Sequence, residues 1–178
     1  MESRICDYLP VSRPFFSMHG ELAALRHPKG NRRFAMLEIR EYPDSTEPGH
    51  LNNLLKLPFE YVMTQSFGAM SKADGRAAFG RQKRWLVDSG DDSKKQVAEL
   101  DLALDDLAAG KFIMGDHHCT LAVFGDTNEV VMRNAADAIT ELAECEIVGR
   151  TIDRASVAAF RAQLPCNWIW RPRPAAIT

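Results

Sequence analysis

From Phe34 to Leu164 the chain switches repeatedly between two apolar periods, one of about two residues and one of about 3.6, which commits it to packing helices on a sheet. FAMLEIREY (34–42) alternates, with Ala35, Leu37 and Ile39 on one side and Glu38 and Arg40 on the other, as a half-buried strand does. Leu51, Leu54 and Leu55 recur at helical spacing between Pro48 and Pro58, so a short helix follows. FEYVMTQSF (59–67), aromatic and β-branched, reads as the next strand.

Two helices come next. From Ser71 to Val87, residues Gly75, Ala78, Phe79, Gln82, Trp85 and Leu86 share a face, with Arg76, Lys83 and Arg84 opposite. From Ser93, Val97, Leu100, Leu104 and Leu107 form a second stripe, and the turn chemistry of DSGDD between the two predicts a hairpin. KFIMGDHHCTLAVFGD (111–126) is a long strand that points Cys119, Leu121 and Val123 inward, with Gly115 as a bulge or bend. Asp126 and Glu129 suggest a capping box for a helix carrying Val131, Ala135, Ala138, Ile139 and Leu142. EIVGRTI (146–152) is a fourth strand, and a last helix over 154–164 stops at Pro165.

The order β-α-β, helical hairpin, β-α-β-α predicts an α+β, ferredoxin-like domain over 34–164: a split β-α-β, four-stranded antiparallel sheet with helices on one face and the hairpin inserted. Residues 1–33, punctuated by Pro10, Pro14, Pro28 and Gly30, read as an arm in which HGELAALRH (19–27) makes two helical turns at most. Residues 165–178 read as a connector.

With 178 residues and 46% hydrophobic content, the chain can bury a sizeable core. A net charge of -2 gives no overall attraction to nucleic acid or anionic lipid. No stretch reaches the roughly 20 apolar residues of a membrane span, and no export signal precedes Phe34, so the cytoplasm is the expected compartment. Cys6, Cys119, Cys145 and Cys166 form no CxxC pair and suit free thiols in a reducing environment.

Several side chains could carry chemistry. No GxxxxGK[ST] occurs; Gly110-Lys111 follows a helical run and reads as a helix stop, so no cofactor is expected here. His117, His118 and Cys119 suggest zinc ligands, but neighbours on a strand point to opposite faces, leaving His117 and Cys119 without a third and fourth partner. Asp91, Asp92, Asp101, Asp105 and Asp106 suggest paired carboxylates, yet a solvated helix face explains them. Arg76, Arg81, Lys83 and Arg84, with Arg32 and Arg33, could touch phosphates or lipid headgroups. Phe59, Tyr61 and Phe67 could stack bases, but the basic and aromatic signature of an RNA-recognition strand is missing and a core role is preferred. Trp168, Trp170 and Arg171 lie in an extended run broken by Pro172 and Pro174, aromatics beside arginines as at an interface.

Three segments, LNNLLKLPFEYVMTQSF (51–67), LDDLAAGKFIMGDHHCTLAVFGDT (104–127) and AAFRAQLPCNWIWRPRPAAIT (158–178), together resemble the amino-terminal region of the CagE, TrbE and VirB family of type IV secretion and conjugation ATPases. The resemblance runs from Arg33 to Thr178, with Cys166 where the family usually has glycine and Asp116 where glutamate is common. It implies a docking and assembly domain, not itself an enzyme, of an ATPase that energises transfer of protein or DNA. The expected setting is the cytoplasmic face of the bacterial inner membrane. The implied partners are inner-membrane subunits and a carboxy-terminal motor domain absent from this chain, which would hold ATP and Mg. Homo-oligomerisation of the full-length protein and peripheral membrane association are implied as well. Arg76, Lys83, Arg84, Trp168, Trp170 and Arg171 are the candidate interface; no catalytic, cofactor or metal residue is assigned. The competing expectation is an autonomous ferredoxin-like binder of nucleic acid, and a metal-dependent hydrolase on His117 and Cys119 is the least favoured.

Overall fold

A strand covered on both faces must be apolar on both, and two segments meet that demand. The computed structural model describes residues 12–17, 20–27, 30–43, 45–88, 94–164 and 167. Strand β3 (Gly30–Glu41) buries Phe34, Ala35, Met36 and Leu37 in succession. Its neighbour β5 (Gly115–Gly125) buries every residue from His118 to Gly125. The two run antiparallel, with Phe34 opposite Phe124 and Leu37 opposite Leu121.

The chain divides into two compact units, Met1–Ser66 with His118–Thr178, and Phe67–His117. The first holds most of a six-stranded sheet in the order β1 (Arg13–Phe16), β2 (Ala23–His27), β3, β5, β4 (Tyr61–Ala69), with β6 (Val148–Thr151) also paired to β3. The architecture is α+β and antiparallel, but the expected four-stranded sheet is corrected to six. The two extra strands come from the segment read as an arm: β1 (Arg13–Phe16) and β2 (Ala23–His27), the latter in a stretch allowed two helical turns at most. So short a helix gains few hydrogen bonds for its nucleation cost. Laid against β3, with Ala23 opposite Phe34 and Leu25 opposite Arg32, the same residues complete a ladder.

The helices cover both faces of this sheet rather than one. On the first face, Ala35, Leu37, Cys119, Leu121 and Val123 meet Val131, Ala135, Ala138 and Leu142 of α3 (Asn128–Ala143). On the second, Phe34, Met36, Ala122 and Phe124 meet Ala159 of α4 (Ser156–Ala162), with Phe16 and Phe160 at the margin. The Phe34 ring lies 5.1 Å from that of Phe160 and 5.9 Å from that of Phe16. A second apolar face on β3 and β5 needed its own cover, which a half-buried reading of β3 did not provide.

Local signals moved by a residue or two. The cap of α3 is Thr127 rather than Asp126; its hydroxyl accepts from the Val130 N–H at 3.3 Å. Between Pro48 and Pro58 the helix is a 3-10 turn (His50–Lys56), entered through Gly49 at φ 87 and anchored by Leu54, 2% exposed. Strand β4 covers Tyr61–Ala69 and β6 covers Val148–Thr151, the latter pairing with β3 across a register shift between Ile39 and Glu41.

The second unit holds α1 (Lys72–Asp88) and α2 (Lys94–Ala109). Ser71 caps α1, its hydroxyl accepting from the Asp74 N–H at 3.1 Å and donating to the Asp74 carboxylate at 2.6 Å. The helices pack closely where Gly75 faces Leu107: a β-carbon there would sit 3.0 Å from the leucine Cδ2. Gly110 ends α2 in the left-handed region at φ 76, with Gly110 N–H donating to Leu107 O and Lys111 N–H to Asp106 O. That is a Schellman stop, as the glycine-lysine pair suggested.

Candidate interaction surface

Helix α1 carries three of the six residues singled out for an interface. Gly75, Phe79, Gln82 and Leu86 are spaced to form its packed ridge, and Arg76 and Arg84 are exposed outside it. Lys83 is turned toward α2, where its ammonium donates to both carboxylate oxygens of Asp101 at 2.6 and 2.8 Å. Arg84 donates from Nε to the Gly80 carbonyl at 3.2 Å, which lays the side chain along its own helix. The three therefore share one helix without converging on one point. Trp168, Trp170 and Arg171 lie outside the described residues.

Trp85 corrects the helical-face assignment. Placed on the packed face by sequence, it is 69% exposed, and Val87 is 61% exposed. Trp85 stands one position before Leu86, about 100° around the helix, and its i−4 neighbour on the outward surface is Arg81. An exposed indole flanked by Arg81 and Arg84 is the strongest interface signal on α1. Its mark in the sequence was the regular spacing 75, 79, 82, 86, which omits 85.

The other candidates separate into ordinary roles. Arg32 pairs with Glu60, and Arg33 donates to the Asn128 side-chain oxygen at 2.5 Å, both within the first unit. Two acidic residues of α2 are taken up by lysines: Asp101 by Lys83, and Asp106 by Lys111 at 2.6 Å, which raises the lysine pKa, while Asp91 and Asp92 lie outside the described residues. Phe59 and Tyr61 pack partly buried against the first core cluster, while Phe67 is 59% exposed. An open cavity of about 430 Å³ in the second unit is lined by Met70, Lys72, Leu107, Gly110, Ile113 and Met114. It is largely apolar, and its lysine ammonium donates to the Ala108 carbonyl at 3.3 Å, so it presents no acid-base pair.

On β5, burial pushes the Cys119 thiol up to about 12 and lowers the His117 pKa. Among the described residues no three His, Cys, Asp or Glu side chains are placed to share a metal ion, and no helix is long and apolar enough to cross a membrane.

Comparison with known proteins adds what geometry alone does not. The sequence profile of the CagE, TrbE, VirB family, component of type IV transporter system, matches residues 5–173. The type IV secretion system protein virB4 of Brucella abortus biovar 1 (strain 9-941) is 40% identical over 158 residues, covering 89% of this chain and 19% of the relative. That of Bartonella quintana (strain Toulouse) is 38% identical over 89% of this chain and 20% of its own length. The type IV secretion system protein PtlC homolog of Bordetella bronchiseptica is 36% identical, covering 89% and 19%. The chain thus spans about a fifth of the length of these curated relatives.

Proposed function

Because the chain belongs to the CagE, TrbE, VirB family of type IV transporter components, we propose that it is the docking and assembly region of a type IV secretion ATPase. It works by burying surface against partners and has no active site of its own. The observation that carries this reading is the family match over residues 5–173 within a chain that corresponds to 19% of its Brucella relative. The nucleotide chemistry belongs to a motor domain in the remainder of the parent, where ATP and Mg are held.

The partners in this reading are inner-membrane subunits of the same transfer system, the parent's own motor domain, and further copies in a homo-oligomer. The site of action is the cytoplasmic face of the inner membrane, with peripheral contact through α1. Exposed Trp85 and Val87 beside Arg81 and Arg84 support that assignment, since desolvated aromatics and arginines dominate binding energy at interfaces. The neighbour order β6-β3-β5-β4 supports a split β-α-β arrangement as the core to which β1 and β2 are added. Nucleic acid is the disfavoured partner, because Phe59 and Tyr61 are engaged with the core.

The purified chain is expected to leave ATP unhydrolysed and to show no saturable nucleotide binding. ATP turnover that persists through successive purification steps and follows the chain on a sizing column would overturn the reading.

A further inference from the structure

The outward side of α1 carries a pattern that packing within the second unit does not use. At about 100° per residue, Ala73, Ala77, Gly80 and Arg84 fall on one line opposite the packed ridge. Trp85 and Arg81 flank that line on one side, Arg76 and Val87 on the other, and all four are exposed. A β-carbon on Gly80 would meet nothing within 4 Å. Glycine weakens a helix interior, and among the described residues no neighbour requires it there.

The charge on this side is one-signed. From Arg76 to Val87 the helix carries Arg76, Arg81, Lys83 and Arg84 and no carboxylate. Asp101 holds Lys83, whereas among the described residues no carboxylate pairs with the three arginines. Small residues between cations and an indole suit another helix. The missing side chains let a second backbone approach to the roughly 8–10 Å separation of packed helices, within reach of arginines that favour carboxylates. Arg76 and Arg84, eight residues apart in sequence, are separated by about 12 Å along the axis. A bilayer or a nucleic acid would use the arginines and leave the line of small residues unfilled.

We propose that the outward side of α1 docks an acidic amphipathic helix of a partner protein. That helix lies along Ala73, Ala77 and Gly80, sets carboxylates about two turns apart against Arg76 and Arg84, and covers Trp85 with an apolar side chain. The inference rests on the docking reading above and adds the partner's chemistry to it.

Fluorescence anisotropy tests it with two labelled synthetic amphipathic helices, identical except that one carries glutamates two turns apart beside a line of alanines and the other carries lysines there. The glutamate helix should bind saturably and lose at least about ten-fold in affinity when Arg76→Glu and Arg84→Glu are combined. The lysine helix should bind that doubly reversed chain better than the wild type. Gly80→Leu should block the glutamate helix while the thermal melt stays level or rises, because leucine is the better helix former. Far-UV circular dichroism checks folding, and should Gly80→Leu unfold, the charge reversal decides. Phosphatidylglycerol vesicles and a thymidine oligonucleotide are parallel probes. Equal binding of the two helices, or of neither, overturns the proposal. So does glutamate-helix affinity unchanged in the folded variants, or arginine-dependent binding confined to vesicles or oligonucleotide. None of these probes comes from a transfer system, so failure here leaves the secretion reading standing, whereas failure of that reading shows as ATP turnover by the chain.

Discussion

Cys119 is 3% exposed, and its titration reports on the core around it. Burial holds the folded thiol protonated up to about 12, against an ordinary value of 9.0. Tyr42 is raised from 10.0 to about 12, by burial first and by the Cys119 charge second. Above the ordinary values the unfolded chain loses these protons while the folded chain keeps them, so stability falls as pH rises from about 9 toward 12. Urea unfolding should therefore be level below pH 9 on this account and decline above it, by at most about 1.4 kcal/mol per pH unit for the buried thiol and by less for the Tyr42 phenol, which is 38% exposed and screened by solvent. Cys119→Ala should flatten the slope; an unchanged slope would mean that the thiol is not desolvated. The inward aim of Cys119 was legible, since alternation with Leu121 and Val123 gives it. Trp85 was not, because one residue of helical phase separates a packed side chain from an exposed one.

Gly115 also acts at this scale. A β-carbon there would lie 2.3 Å from Phe67 Cζ and 2.6 Å from the Gly68 carbonyl oxygen. The ring can swing aside, whereas the backbone oxygen cannot. Gly115→Ala is expected to destabilise the chain by about 1–3 kcal/mol, and adding Phe67→Ala should restore only part of the loss. Full restoration would show that the ring alone fills the space. The sequence marked Gly115 as a bend; it is instead the first residue of β5, small because another strand crosses close to it.

Elements with strong internal signals were read well. Helices α1 and α2 and strand β5 carry their own periodicity and stops, so Ser71 and Gly110 mark ends that the structure retains. Elements defined by distant partners were not. HGELAALRH has helical residues locally, and only the extension of β3 back to Gly30 turns its Ala23–His27 part into a strand. Arg32 and Arg33 hid that extension by making the start of β3 look polar. For α1, the separation of packed ridge from outward face gives a testable split. Trp85→Ala should change unfolding free energy by less than about 0.5 kcal/mol while weakening partner binding. A large stability loss with unchanged binding would place the indole in folding rather than docking.

At the scale of the whole molecule, the α+β class was legible and the extent of the sheet was not. Amphipathic patterning reports one buried face per strand, and β3 and β5 bury two, which brings α4, β1 and β2 into the fold. Of the candidate interface, Arg76, Lys83 and Arg84 lie on one helix, where Asp101 holds Lys83, and Trp168, Trp170 and Arg171 fall outside the described residues. Family membership rests on the 5–173 match and on relatives 36% to 40% identical. Docking is the account's central claim. Its most direct test passes detergent extracts of membranes, from cells with and without the parent transfer system, over the immobilised chain without ATP. The account predicts retention of that system's inner-membrane subunits from the first extract, reduced by Trp85→Ala combined with Arg84→Glu. A correctly folded chain that retains none of those subunits would contradict it.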